Sequence, residues 1–242
     1  MVLREDGRDN GELREVRITR KVNKYAEGSC LIAFGDTRVH CTASVQDEQP
    51  RFLRNTEEGW VTAEYAMLPR ATRERTRREV ETGPSGRTHE IQRLIGRSLR
   101  AVCDTKLLGA LTIRVDCDVL QADGGTRTAA ITGAFVALAD ACAYLRDKNM
   151  IKRWPLAEQV AAVSAGIVSG EVVLDLCYHE DSQAAVDLNL VMTSRGQIVE
   201  VQATAEGAPF SEQELQRMIA LSRQGLQELF ARQKEVLGEV LP

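Results

Sequence analysis

The chain has 242 residues, 43% hydrophobic and 27% charged, which is enough apolar material for a substantial core and too little polar bias for disorder. Its net charge of −4 excludes a protein that coats nucleic acid by bulk electrostatics, so any polyanion must be met by a local patch. Residues 1–10 are charged and lack the apolar run of an export signal, and the six cysteines stand singly without CxxC spacing, which argues against structural zinc and for a reducing, cytoplasmic setting.

After a loosely held segment at 1–10, strands are expected over 15–19, 29–34 and 37–45. A Gly35-Asp36 turn joins the last two and would set Cys30 opposite Cys41 as reduced, buried thiols. A charged, irregular stretch covers 46–88, interrupted by the apolar run from Trp60 to Leu68. Ile91, Leu94, Ile95, Leu99 and Val102 then share one face of a helix expected from about Thr88 to Cys103. Arg93, Arg97 and Arg100 form a solvated or subunit-contact stripe opposite. From Leu111 to Leu120 the period falls to two, the pattern of a strand buried on one face. Asp123-Gly124-Gly125-Thr126-Arg127-Thr128 follows and opens a small-residue helix from Ala129 to Leu145, a core helix too short and interrupted to span a membrane. Strand pairs are expected around Ser169-Gly170 (160–168 with 171–178) and Arg195-Gly196 (188–193 with 198–203). A last helix begins at Ser211, where Glu214 completes a capping box. Strands and helices in two successive blocks imply an α+β fold, read as one domain over 1–242 built of two similar halves.

The Asp123 to Thr128 segment places backbone amides and an arginine at a helix start, where unpaired donors and the helix dipole favour an anion. A plain glycine turn with Thr128 as N-cap accounts for the local sequence equally well. Arg87, after Gly83-Pro84-Ser85-Gly86, is a second arginine at a helix start, either for an anion or paired with Glu90. Asp175, Glu180, Asp181 and Asp187 concentrate negative charge, and Asp181 with Asp187 would suffice for magnesium, which keeps most of its water. Arg70, Arg73, Arg75, Arg77 and Arg78 make a basic segment suited to a phosphate backbone, against the ordinary reading of a solvated loop. His40, His89 and His179 form no triad with a serine.

In order, Tyr25-Ala-Glu-Gly-Ser29, Phe34-Gly-Asp-Thr37, Gly59-Trp-Val-Thr-Ala-Glu-Tyr65, Met67-Leu-Pro-Arg70, Gly86-Arg-Thr88, Glu90-Ile-Gln-Arg-Leu-Ile-Gly-Arg97, Gln121-Ala-Asp-Gly-Gly-Thr-Arg-Thr128 and Thr204-Ala-Glu-Gly207 resemble the ribonuclease PH family over nearly the whole chain. The resemblance implies mixed β-sheets packed with helices, a fold related to the second domain of a ribosomal protein, and a homohexamer built as a trimer of dimers. It implies phosphorolysis of RNA 3′ ends, tRNA precursors above all, with release of nucleoside diphosphates and a possible reverse addition. It assigns phosphate to Arg87, Gly125, Thr126 and Arg127, catalysis and Mg2+ to Asp181 and Asp187, and tRNA to the loop carrying Arg70, Arg73, Arg75, Arg77 and Arg78. Ala185, Val186 and Ala203 depart from the family's usual Glu, Thr and Gly. The rival expectation is a silent RNA-binding ring subunit of an exosome-like assembly.

Overall fold

A computed structural model describes residues 4–54 and 56–241. The first block forms a five-stranded sheet of β1 (Val16–Arg20), β2 (Gly28–Phe34), β3 (Thr37–Gln46), β4 (Trp60–Met67) and β5 (Thr112–Gln121), ordered β1-β2-β3-β5-β4. Gly35 takes the left-handed conformation, φ 54°, that the tight β2–β3 turn requires. In this register Cys30 faces Cys41 and Cys41 faces Cys117, and all are free thiols. Only β4 and β5 pair in parallel, which demands a crossover, and α1 (Glu79–Thr82) and α2 (Gly86–Arg100) lie within it.

The second block is an antiparallel sheet of β6 (Val160–Val168), β7 (Glu171–Leu174), β8 (Val186–Thr193) and β9 (Ile198–Ala205), ordered β7-β6-β8-β9. Between the sheets runs α3 (Thr126–Asp147), packed on β2, β3 and β5 on one side and β6 on the other. Small residues make the close approach possible, since a Cβ at Gly28 would stand 1.9 Å from the Ala137 carbonyl oxygen. By length and composition α3 would pass for a membrane span, yet 89% of its apolar window is buried inside this protein. It has 22 residues, longer than the apolar run suggests, because Thr126, Arg127 and Thr128 make its first turn. The long α5 (Glu212–Leu237) begins with the expected Ser211–Glu214 capping box and covers β6, β7 and β1. One contiguous apolar core joins both sheets.

Two segments differ from the sequence reading. The strand expected to reach Tyr178 stops at Leu174, because Asp175 turns left-handed at φ 52° and turns its carboxylate to Arg14. A loop and the single-turn α4 (Tyr178–Asp181) follow, too short for any periodicity to reveal. The N-terminal segment is tied down rather than loose from Arg4 onward. Arg4 is 3% exposed, grips both Glu180 oxygens at 2.6 and 2.8 Å, and donates to the Asp175 carbonyl at 3.2 Å. Residues 1–3 lie outside the described residues.

Candidate active site

At the end of β5 the chain turns into α3 through Gly124 and Gly125, both left-handed at φ 73° and 63°. Gly125 is the N-cap, and Thr128 sits inside the first turn, its hydroxyl donating to the Gly125 carbonyl at 2.8 Å. The Thr128-cap reading is therefore wrong. No side chain caps the first amides of α3, which leaves the positive end of a long helix available to an anion.

This loop is held from below. The Thr37 hydroxyl donates to the Gly124 carbonyl at 2.6 Å and accepts from the Asp123 amide at 2.9 Å. Arg14 donates to the carbonyls of Asp123 and Gly124 while its Nη2 pairs with Asp175 at 2.7 Å. Asp123 Oδ1 accepts from the Tyr178 amide at 3.2 Å, and a Cβ at Gly124 would meet the Leu176 carbonyl oxygen at 2.4 Å. The glycine loop and the acidic loop therefore touch, with less than a methyl group of spare room.

Arg127 projects from α3 but is aimed by other elements. Its Nη1 donates to Gln202 Oε1 on β9 and, at 3.2 Å, to Glu90 Oε1 on α2, while Gln202 Nε2 donates to the same Glu90 oxygen at 2.7 Å. Glu90 thus serves Arg127, not Arg87. Arg87, exposed in the first turn of α2, donates no hydrogen bond to any described residue. The Thr126 hydroxyl is 2.8 Å from that of buried Tyr65, whose ring also lies within the field of Arg87 and Arg127.

Facing them are two carboxylates. Asp181 closes α4, and Asp187 on β8 lies between Gly166 of β6 and Thr204 of β9. Desolvation lifts both above the ordinary carboxylate range. For Asp181 the charges of Arg87, Arg127 and Arg14 pull the other way, whereas Asp187 is pushed further up by Asp181 against the pull of Arg127. Arg87, Arg127, Asp181 and Asp187 accordingly lie within one another's electrostatic reach. Val186 points into the core at 2% exposure and Ala203 keeps its pairing with Leu188, so these two departures leave Asp187 in place. Among the described residues no group of three or more His, Cys, Asp or Glu side chains is arranged to hold a metal. The available donor set is the Asp181 and Asp187 pair, neither of which accepts a hydrogen bond from another described side chain.

Asp175 and Glu180 are not free ligands. Asp175 is fully buried against Arg14, with Arg8 at 3.5 Å, and Glu180 is held by Arg4. Burial works to raise the Glu180 carboxyl, but hydrogen bonds from Arg4 and the Cys177 amide, with the charges of Arg4 and Arg8, outweigh it and hold it below the usual range. A depressed folded pKa means stability that is present above the ordinary glutamate value of 4.5 and lost as pH falls through the lower folded value. Acid titration of unfolding should show this loss in the native protein. Arg4→Met should flatten it, and identical acid profiles would discount the Arg4–Glu180 contact as its source.

The basic loop starts beside the glycine loop, because the carbonyl of buried Ala71 accepts from the Ala122 amide at 2.8 Å. Arg70, Arg73, Arg75, Arg77 and Arg78 are all exposed on it. The expected stripe on α2 is partly consumed within the chain: Arg97 pairs with Glu200, and Arg100 covers the Trp60 ring at 4.4 Å and donates to the Val61 carbonyl at 2.8 Å. Arg14, Thr37, Tyr65 and Gln202 were missed as supports of the site. Thr37 and Tyr65 carried a signal, each as the last residue of a family-like motif.

Residues 12–143 match domain 1 of the 3′ exoribonuclease family and residues 158–225 match its domain 2. The chain belongs to the ribonuclease PH family. It is 58% identical over 240 residues to the Ribonuclease PH of Moorella thermoacetica, spanning 99% of this chain and 96% of that one. It is equally 58% identical over 237 residues to that of Methylobacterium radiotolerans, spanning 98% and 100%. The fold is also that of rice Rrp46 (TM-score 0.78, 22% identity, 99% of this chain and 100% of that one) and of a chain in the Archaeoglobus fulgidus exosome with RNA bound to the active site (TM-score 0.79, 23% identity, 93% and 91%). As a ribonuclease PH family member, the protein is a phosphate-dependent 3′-to-5′ exoribonuclease with inorganic phosphate as co-substrate. The glycine loop falls in the first matched segment and Asp181 and Asp187 in the second.

Proposed function

We infer that the protein trims the 3′ ends of tRNA precursors and other RNAs, with inorganic phosphate seated on Gly125, Thr126, Arg127 and Arg87 opposite Asp181 and Asp187. The observation that carries this reading is the junction of an uncapped helix start with an arginine aimed by Glu90 and Gln202, facing two carboxylates of raised pKa. An oxygen of the bound phosphate attacks the phosphorus of the last phosphodiester. The bond to the 3′ oxygen of the preceding nucleotide breaks, and the terminal nucleotide leaves as a nucleoside diphosphate. Arg87 and Arg127 hold the attacking anion and neutralise charge as it spreads over the transferring group. The leaving 3′ oxygen gains a proton as the bond breaks, a transfer that Asp181 or a water it holds would assist.

Two hard carboxylate oxygen donors that accept no hydrogen bond from another described side chain fit Mg2+, which binds through one or two carboxylates and retains water. Bound there by Asp181 and Asp187, it would supply charge neutralisation at phosphoryl oxygens. The exposed arginines from Arg70 to Arg78 suit the tRNA body, and the two halves act as one domain around a shared core. Assembly into a homohexameric ring of dimers, and work in the cytoplasm, fit the family and the free thiols.

The test is nucleotide release from a 3′-extended tRNA with Mg2+, titrating inorganic phosphate. Diphosphates should appear only with phosphate, and monophosphates without it would mean hydrolysis. Arg127→Ala should raise the KM for phosphate by about 10- to 100-fold, the cost of losing a charge-assisted contact. An unchanged phosphate dependence would remove Arg127 from the cradle.

A further inference from the structure

The geometry points to Tyr178 as a stacking platform for one of the two nucleobases that flank the scissile phosphodiester, an inference that rests on RNA being the substrate. Tyr178 is 52% exposed although aromatic, and its ring belongs to neither apolar cluster. Its backbone is by contrast closely fixed. The amide donates to Asp123 Oδ1 at 3.2 Å, the carbonyl accepts from the Ser182 amide at 3.0 Å, and Gly124 leaves no room for a Cβ beside it. An exposed ring on a rigid mount is a poor contribution to folding and a good surface for a flat ligand.

The location selects the ligand. Tyr178 opens the single helical turn that Asp181 closes, so the two residues are mounted about one turn apart on the backbone, roughly 5 Å. Its other neighbour is Arg73 of the basic loop, whose guanidinium carbon lies 5.8 Å from the ring centroid. A half-exposed aromatic ring with an arginine over it, between a phosphate cradle and a run of cations, offers its remaining surface to a base and the arginine to that base's phosphate. Stacking tolerates every base, which an enzyme that removes successive nucleotides requires. Arg73 thereby works on the strand entering the site, whereas Arg75, Arg77 and Arg78 lie further along the loop.

The experiment uses single-stranded RNAs carrying 2-aminopurine at the last or the next-to-last position, bound to the full chain without phosphate so that no turnover occurs. Native protein should quench the probe at one of the two positions. Tyr178→Phe should preserve the quenching and Tyr178→Ala abolish it. With phosphate added, Tyr178→Ala should raise the KM for RNA by roughly 5- to 100-fold and leave the KM for phosphate unchanged. Equal quenching by native protein and Tyr178→Ala, or no quenching at either position by a native protein that still releases diphosphates, overturns the platform while leaving the function intact. A change of oligomeric mass in Tyr178→Ala would instead make the ring a subunit contact and also overturns it. Absence of diphosphate release by the native protein would be a failure of the functional reading itself, and is read separately.

Discussion

Replacing Asp187 with alanine is expected to lower kcat by about 10²–10³-fold, the usual cost of deleting a group that acts on charge in the transition state, without loss of thermal stability. The two halves of that expectation share one cause. The Asp187 carboxyl is raised by desolvation and by the charge of Asp181, so its ionised form is held at some cost in the folded protein. Deleting a group that the fold pays to keep should leave the melting temperature level or slightly higher. Single-turnover release of diphosphate, read beside a melting curve and an RNA-binding isotherm, separates the possibilities. An active variant removes Asp187 from the chemistry, and parallel losses of activity and stability would make it a structural acid.

The second large effect falls on the fold. The Arg14–Asp175 pair has side-chain exposures of 5% and 0%, and Arg14 also donates to the carbonyls of Asp123 and Gly124. Arg14→Met strands a buried carboxylate, which costs about 3–5 kcal/mol when one partner of a buried pair is removed. Arg8, 3.5 Å from the same carboxylate, compensates in part. For a chain of this length the melting temperature should drop by roughly 10 °C. Arg14→Met combined with Asp175→Asn removes the stranded charge and should recover much of the loss, because asparagine also tolerates the left-handed backbone at that position. If the double variant is no more stable than the single one, the ion pair is not what holds the two loops.

What the sequence displayed was local. The Gly35-Asp36 hairpin, the facing cysteines, the alternation of β5 and the Ser211 capping box all depend on neighbours a few residues away, and the structure contains each of them. The glycine loop was legible because strand, glycine pair and helix start are adjacent in the chain. Partners far along the chain were not. Asp175 and Glu180 looked as available to a metal as Asp181 and Asp187, because nothing near them announces arginines 161 and 176 residues away. Glu90 sits three residues from Arg87 and was offered to it, yet tertiary contact gives it to Arg127, 37 residues on. The single turn of α4 carried no period to read, and the N-terminal segment looked loose because the partner that buries Arg4 is Glu180, from the other half of the chain.

In the proposed function the phosphate cradle comes from one half of the sequence and the carboxylates from the other, so neither half alone would hold a diluted version of the enzyme. On that reading a growing chain that has emerged only as far as α3 would carry the anion site without the carboxylates that face it, and would not shorten any RNA within reach of the ribosome that is making it. Arg127 meets Glu90 within the first half and gains its second partner only when Gln202 arrives on β9. Catalysis would in this sense proofread the protein's own completion, since on the proposed site only a chain whose two sheets have docked would act on a transcript.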